Sequence, residues 1–319
     1  MTLGVESRST KTMSADHKTC FVVSDGRRGI ENQALGLGEA LARKMALQIM
    51  PIQVPRTGAI PDPGSIAPDI WIGCGRAAVR AARLHKRAFP KAKFVYVQDP
   101  RAGHELFDLI VPPFHDDLKG PNVLPILGSP NRVTPARLKD GVEPFKARIA
   151  TLAGPRIAVL IGGDSKHHHF TPAVGHYLLE RLEDLRDLGA SLMITTSRRT
   201  PEAFVGLLKT RFMDDSRVWL HEGEGPNPYF AFLASANWIF VTEDSTNMLT
   251  EAAATGTPVY RLPLEGKPSK FTRLYEQLEG HGSVRPWLGQ LEDWTYSPLR
   301  ETERVAQRLL EMMGQKPDL

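Results

Sequence analysis

A chain of 319 residues is longer than one hydrophobic core usually grows, so two domains of roughly 150 residues each are expected. A hydrophobic fraction of 41% with 24% charged residues is that of an ordinary folded protein, which excludes a collagen-like repeat, a disulfide scaffold and wholesale disorder. The net charge of +4 accommodates an anionic ligand and gives no reason to expect nucleic acid, and two cysteines beside apolar segments fit a reducing cytoplasmic setting. Residues 1–18 are polar and lack the apolar stretch of a secretory signal, so a disordered tail is expected; Arg8, Lys11 and Lys18 among Ser and Thr weakly resemble a transit peptide, against which stand Glu6 and Asp16. No apolar run approaches the ~20 residues of a membrane-spanning helix, so any membrane contact would be peripheral.

From there the pattern is a short β-branched run, a turn rich in Gly or polar residues, then a helical stretch, repeated to the end of the chain. This rhythm predicts an α/β protein of two Rossmann-like domains whose parallel sheets face each other across a cleft. In a first domain, 19–150, strands are expected at 20–24, 48–54, 69–72, 94–98, 107–111 and 123–127, with helices at 31–45 and 76–89. The Pro- and Gly-bearing stretch 135–155 reads as a connection, with the boundary near Gly154. A second domain, 151–298, has strands at 156–161, 191–195, 217–220, 238–241 and 259–262 and helices at 173–188, 201–212, 229–235, 245–255 and 269–279. The terminal segment 299–319 carries one more helix, a candidate for packing back onto the first domain.

Ligands of open parallel sheets gather beyond the carboxyl ends of the strands, so the chemistry is sought in the turns that follow them. Asp25 lies in the first, Ser24-Asp25-Gly26, with Asn32 and Gln33 on the helix that opens next; a glycine turn with polar capping explains the same residues equally well. Gly73-Cys74-Gly75-Arg76 lacks the third glycine and the acidic residue of a dinucleotide fingerprint, so NAD is rejected. Arg76, Arg80, Arg83 and Arg87 draw a basic stripe along one helix, either a solvated face or a surface for an acidic partner or anionic lipid. Asp99 and His115-Asp116 follow the next strands and are the general-base candidates, although Asp99 before a proline also reads as a turn residue.

In the second domain Gly162, Gly163, Ser165 and Lys166 follow an apolar strand and read as a turn that cradles phosphate, though without Walker spacing. The three adjacent histidines 167–169 project in diverging directions, and no metal site is expected. Ser197 and Arg198 end the next strand and suit an anion. Asp244, Ser245 and Thr246 end a strand and open a helix whose N-terminus can hold a diphosphate, and Glu251, two turns further in among alanines, can take a ribose diol; Gly256 stops that helix.

The run from Asp244-Ser245 through Glu251-Ala252-Ala253 to Gly256-Thr257-Pro258 resembles the donor-site signature of GT-B glycosyltransferases, which implies Ser245, Thr246 and Glu251 as donor-binding residues with Gly163 and Ser197 lining the same cleft. Ser24-Asp25-Gly26, Glu31-Asn32-Gln33, Gln98-Asp99-Pro100, Asn131-Arg132-Val133-Thr134, Gly162-Gly163-Asp164-Ser165-Lys166 and Asn227-Pro228-Tyr229 look like the mitochondrial fission family named for elongated plant mitochondria. That resemblance covers about Cys20 to Ala306, adds Asn227 to the donor side, and favours a bacterial member because a long N-terminal extension is missing. Plant members are implied to recruit a dynamin-related protein to the outer mitochondrial membrane. The expectation is therefore a metal- and cofactor-independent glycosyltransferase. Its nucleotide-sugar diphosphate would be held by helix N-termini with Arg198 or Lys166, its base would be Asp25, Asp99 or His115, and its acceptor would be lipid-linked or at a membrane surface. The alternative is a non-catalytic adaptor that carries a dynamin-like or other partner to a membrane.

Overall fold

The computed structural model describes residues 17–62, 64–267 and 269–314; the expectations for residues 1–16 and 315–319 lie outside them. The first sheet is built from β1 (Lys18–Ser24), β2 (Leu47–Gln53), β3 (Ile70–Cys74), β4 (Lys93–Val97) and β5 (Leu109–Val111), all parallel in the order β2-β1-β3-β4-β5. Helix α1 (Arg28–Ala42) crosses from β1 to β2 and α2 (Arg76–Ala88) from β3 to β4, so the strand order reverses between β1 and β3. The inner strands are buried on both faces, which is why β3 and β4 read as nearly unbroken apolar runs. The strand expected at 123–127 does not form. Pro125 has no N–H to give a ladder, and only the isolated bridges Ile110–Val123 and Pro113–Ile126 remain.

The connection folds into α3 (Pro135–Val142) and α4 (Lys146–Ala150). Thr134 caps α3 by accepting from the Arg137 N–H at 3.1 Å, with Pro135 in the first helical position. The second sheet comprises β6 (Arg156–Ile161), β8 (Ser191–Thr196), β9 (Val218–His221), β10 (Trp238–Thr242), β11 (Val259–Leu262) and β13 (Val284–Pro286), parallel in the order β13-β11-β10-β6-β8-β9. A small antiparallel ribbon pairs β7 (His168–His169) with β12 (Glu265–Gly266). Helices α5 (Pro172–Asp187), α6 (Glu202–Phe212), α7 (Tyr229–Ser235), α8 (Thr246–Ala253) and α9 (Ser269–Gly280) cover the sheet, whose order reverses between β6 and β10. None of the described helices is long and apolar enough to cross a membrane.

The last helix, α10 (Glu301–Met312), inserts Val305, Ala306, Leu309 and Leu310 into the core that holds Cys20, Leu37 and Leu41 of the first domain. Its start is tied to the outgoing connection, since the Asn131 N–H donates to Thr302 Oγ1 at 2.9 Å. The chain therefore crosses between the domains twice at one place. Glu39 of α1 braces the crossing by pairing with both Arg132 and Arg137, the latter at 3.1 Å. Gly36 of α1 lies directly against this connection, where a Cβ would collide with the Asn131 carbonyl.

That contact sets two effects against each other. In an open helix Gly→Ala stabilises by about 0.5–1 kcal/mol, whereas forcing a methyl against fixed backbone costs about 1–3 kcal/mol. Because the neighbour is main chain braced from both sides, Gly36→Ala is expected to lower unfolding stability in urea titration; an increase would show that the crossing yields freely.

Candidate functional site

Between the carboxyl ends of the two sheets lies a cavity of about 290 Å³, lined from the first domain by Gln33, Arg76, Gln98, Asp99 and His115 and from the second by Thr246, Asn247 and Phe271. Its position is set by strand order, since both reversals, β1/β3 and β6/β10, direct their following helices toward the same gap.

The second domain's wall is the first turn of α8. Ser245 occupies the N-cap without its side chain capping the helix, so the hydroxyls of Ser245 and Thr246 and the amides of Thr246, Asn247 and Met248 have no partner among the described residues. What holds this turn in place is Asn247, a residue absent from the expected site. Its Nδ2 donates to the Gly29 carbonyl at 3.1 Å, and its Oδ1 accepts from Gln33 Nε2 and from Ser129 Oγ, each at 3.1 Å. One side chain thus joins α8 to two segments of the first domain. The contact is closed further out by Phe271 of α9, whose ring lies edge-on to His115 at 5.5 Å between centroids.

Across the cavity, Arg76 opens α2 behind Gly75, a glycine at φ +83°, and has no ion-pair partner among the described residues. A cation at a helix N-terminus opposes the helix dipole, so its placement favours a negative ligand. The loop after β4 carries Gln98 at φ +88° and Arg101 at φ +66°, conformations that cost free energy for side-chain-bearing residues and that cluster at functional sites. Asp99 between them accepts from the Arg101 N–H at 2.7 Å and sits near the Arg101 guanidinium, 3.2 Å, and His104, 3.7 Å.

The basic stripe on α2 divides on this framework. All four are exposed, but Arg76 also lines the cavity and Arg80 donates to the carbonyls of Pro55, Arg56 and Gly58 and holds that loop.

Several residues expected to bind ligand are occupied inside the protein. The amides of the Gly162-Gly163 turn do not cradle phosphate: Gly162 N–H donates to Thr242 Oγ1 at 2.7 Å, Gly163 N–H to Asp244 Oδ2 at 3.0 Å, Asp164 N–H to the Arg199 carbonyl and Ser165 N–H to the His168 carbonyl. The buried Asp244 carboxylate, ion-paired with Arg199 at 2.6 Å, stands where the anion was expected, and a Cβ at Gly162 would strike it. Ser165 Oγ accepts from the His167 and His168 amides, and Ser197 Oγ from the Arg199 amide, so both hydroxyls shape their own turns. Lys166 and Arg198 are exposed and stand outside the cavity lining. His168 is buried between Ser165 Oγ, 3.2 Å, and Tyr275 Oη, 3.0 Å, while His169 is exposed, so the histidine run diverges.

Asp25 also lies outside the cavity lining, held by the Arg27 guanidinium at 2.8 Å. Burial pushes its carboxyl up, but the hydrogen bonds and charge of Arg27 together with Arg56 outweigh this and leave it below the ordinary range, which makes it a poor proton acceptor. Glu251 and Asn227 are brought together through Tyr229, another residue the sequence reading left out. Asn227 Oδ1 accepts from the Tyr229 amide at 3.0 Å, and Tyr229 Oη donates to Glu251 Oε2 at 2.5 Å. Burial pushes the Glu251 carboxyl up to about 7, against the opposing pull of Tyr229's hydrogen bond and the charge of Arg132.

The architecture has solved counterparts. UDP-GlcNAc 2-epimerase from Methanocaldococcus jannaschii superposes with a TM-score of 0.59 at 13% identity, covering 92% of this chain and 99% of that one. The Neisseria meningitidis UDP-GlcNAc 2-epimerase, solved bound to UDP-GlcNAc, gives 0.54 at 14%, covering 93% and 91%. At such identities the likeness is one of fold, and the fold is GT-B-like. In sequence the chain is 26% identical over 269 residues to the mitochondrial fission protein ELM1 of Arabidopsis thaliana, covering 76% of this chain but only 63% of that protein. It is 26% identical over 342 aligned positions to an uncharacterized protein of Rickettsia prowazekii, covering 90% of this chain and 96% of the other. Residues 28–313 match the family described as mitochondrial fission ELM1, and with nearly all of its folded length so matched, this chain belongs to that family.

Proposed function

We propose that this protein binds a nucleotide sugar in the interdomain cleft and transfers the sugar without a metal ion. The observation that carries the reading is the first turn of α8: two hydroxyls and three amides without a partner among the described residues at the positive end of a helix, of which Thr246 and Asn247 line a cavity whose far wall holds the uncompensated Arg76, while Ser245 stands just outside that lining. Such a turn complements a diphosphate. The GT-B-like fold, shared with enzymes solved in complex with UDP-GlcNAc, supports the same ligand class.

In the transfer the bond between the sugar's anomeric carbon and the diphosphate oxygen breaks and one to the acceptor oxygen forms. The acceptor's proton passes to a base, and negative charge grows on the leaving diphosphate. Helix N-termini and Arg76 stabilise that charge as it develops. Asp99 and His115, both in the cavity wall, are the groups placed to take the proton. The nucleoside would extend from α8 toward Asn227, Tyr229 and Glu251, where a ribose diol would compete with Tyr229 for the carboxylate. The adaptor reading has less support, because Arg80, though exposed, is engaged by its own loop and Arg76 lines the cavity, so only Arg83 and Arg87 of the exposed stripe are without such a role.

A thermal-shift panel of UDP, GDP, ADP and CMP with their sugars tests the reading directly. A ligand at 100 times its Kd stabilises by about 2.7 kcal/mol, and replacing Ser245 and Thr246 together by Ala and Val should remove most of that shift. A wild-type melting point that no nucleotide moves would discard the proposal.

Glu251 adds a pH signature. Its folded pKa lies above its unfolded value of 4.5, so the stability it contributes is fully present below pH 4.5 and is lost as pH rises through about 7. Glu251→Gln, which cannot ionise, is therefore expected to gain stability relative to wild type across that window, by up to about 3 kcal/mol. Denaturant titrations at pH 5 and pH 8 would show it, and parallel curves for the two proteins would refute the assignment.

A further inference from the structure

The cavity wall holds a chain of carboxamides whose orientation follows from one fixed acceptor. The Gly29 carbonyl can only accept, so Gln33, 3.0 Å away, must point its Nε2 there; the same Nε2 donates to Asn247 Oδ1. Gln33 Oε1 is thereby left to accept, and it takes Gln98 Nε2 at 3.1 Å and the Cys74 thiol at 3.8 Å. Gln33, buried, has no capacity left. Gln98 is oriented by this contact and still holds one N–H and its whole Oε1 without a partner among the described residues, in a side chain that lines the cavity. The backbone under it is held at φ +88°, a conformation that glutamine adopts only where the surroundings impose it.

A donor and an acceptor side by side on one rigid plane match two adjacent hydroxyls, each of which can both give and accept a hydrogen bond. We infer that Gln98, clamped by Gln33, reads a pair of neighbouring hydroxyls on a neutral sugar ring held in the interdomain cavity. This rests on the nucleotide-sugar reading above and names what the first domain recognises in that ligand. A cavity of about 290 Å³ lies just under the usual range of ligand pockets, roughly 300–1,000 Å³, which suits a single sugar ring better than an oligosaccharide. The carboxamide bears no charge, which suits the hydroxyls of a neutral sugar.

The test compares matched ligand pairs by titration calorimetry: UDP with UDP-glucose and UDP-GlcNAc, GDP with GDP-mannose, ADP with ADP-glucose. The variants are Gln98→Gly, which removes the carboxamide and accepts the positive φ without strain, and Gln98→Glu, which keeps the shape but turns an acceptor toward Gln33 Oε1. In wild type one sugar nucleotide should bind more tightly than its parent nucleotide. In both variants that advantage should shrink about tenfold, the usual scale for losing a pair of well-placed hydrogen bonds, while Gln98→Gly still unfolds cooperatively and binds the parent nucleotide as wild type does. An unchanged advantage, an equal loss for both members of the pair, or no advantage in wild type would overturn the role of Gln98 and leave nucleotide binding standing. If wild type binds no nucleotide at all, the reading of the cleft fails and the role of Gln98 with it.

Discussion

The Gly29 carbonyl oxygen is the constraint on which the arrangement of the cleft depends. Because it can only accept, it fixes the amide of Asn247 from one domain and that of Gln33 from the other, and those two then fix each other. The consequences run outward from there. Asn247 holds the first turn of α8 against the first domain, so the helix N-terminus faces the cavity; Gln33 sets the plane of Gln98 on the opposite wall. A network in which every buried member is satisfied is rigid, and half-satisfaction would be costly, so the amides act as one unit. The two domains are thus registered at the place where a ligand would touch both.

A second constraint acts on the anion site. The turn after β6 has the glycines and hydroxyl of a phosphate-binding loop, yet its amides serve the carboxylate of Asp244, which is itself neutralised by Arg199. The buried acid does for the protein what a phosphate would do in a nucleotide-binding loop, tying the turn after β6 to the end of β10. The amides left without a partner are those of the neighbouring turn, where Ser245 leaves its own helix uncapped. The absence of that cap costs α8 about 0.5–2 kcal/mol of the stability a capping serine commonly supplies.

The tertiary structure also separates residues that looked equivalent. Four arginines at helical spacing form one stripe in the sequence, but the cleft takes Arg76 and the loop at 55–58 takes Arg80. Among three candidate bases, Asp25 is held ionised by Arg27 while Asp99 and His115 reach the cavity. Such distinctions depend on which way each side chain turns, and spacing along a helix or position after a strand does not encode that.

By itself the sequence determined the α/β rhythm, the double Rossmann-like architecture, and the turns in which chemistry would gather, because local periodicity and strand-end glycines follow from backbone geometry that each segment carries on its own. The helix start at Ser245 and Thr246 was legible for the same reason: a hydroxyl pair at a helix start is a local pattern. Only the tertiary structure decided that the amides after β6 are taken by Asp244, that 123–127 stays out of the sheet at Pro125, and that Asn247, Gln33 and Gln98 form one amide chain across the cleft. Those outcomes turn on pairings between residues as far apart as 33 and 247, where one group's hydrogen-bonding capacity is used up by another. A local pattern shows that a donor or acceptor exists, whereas whether it is free for a ligand depends on what the fold brings against it.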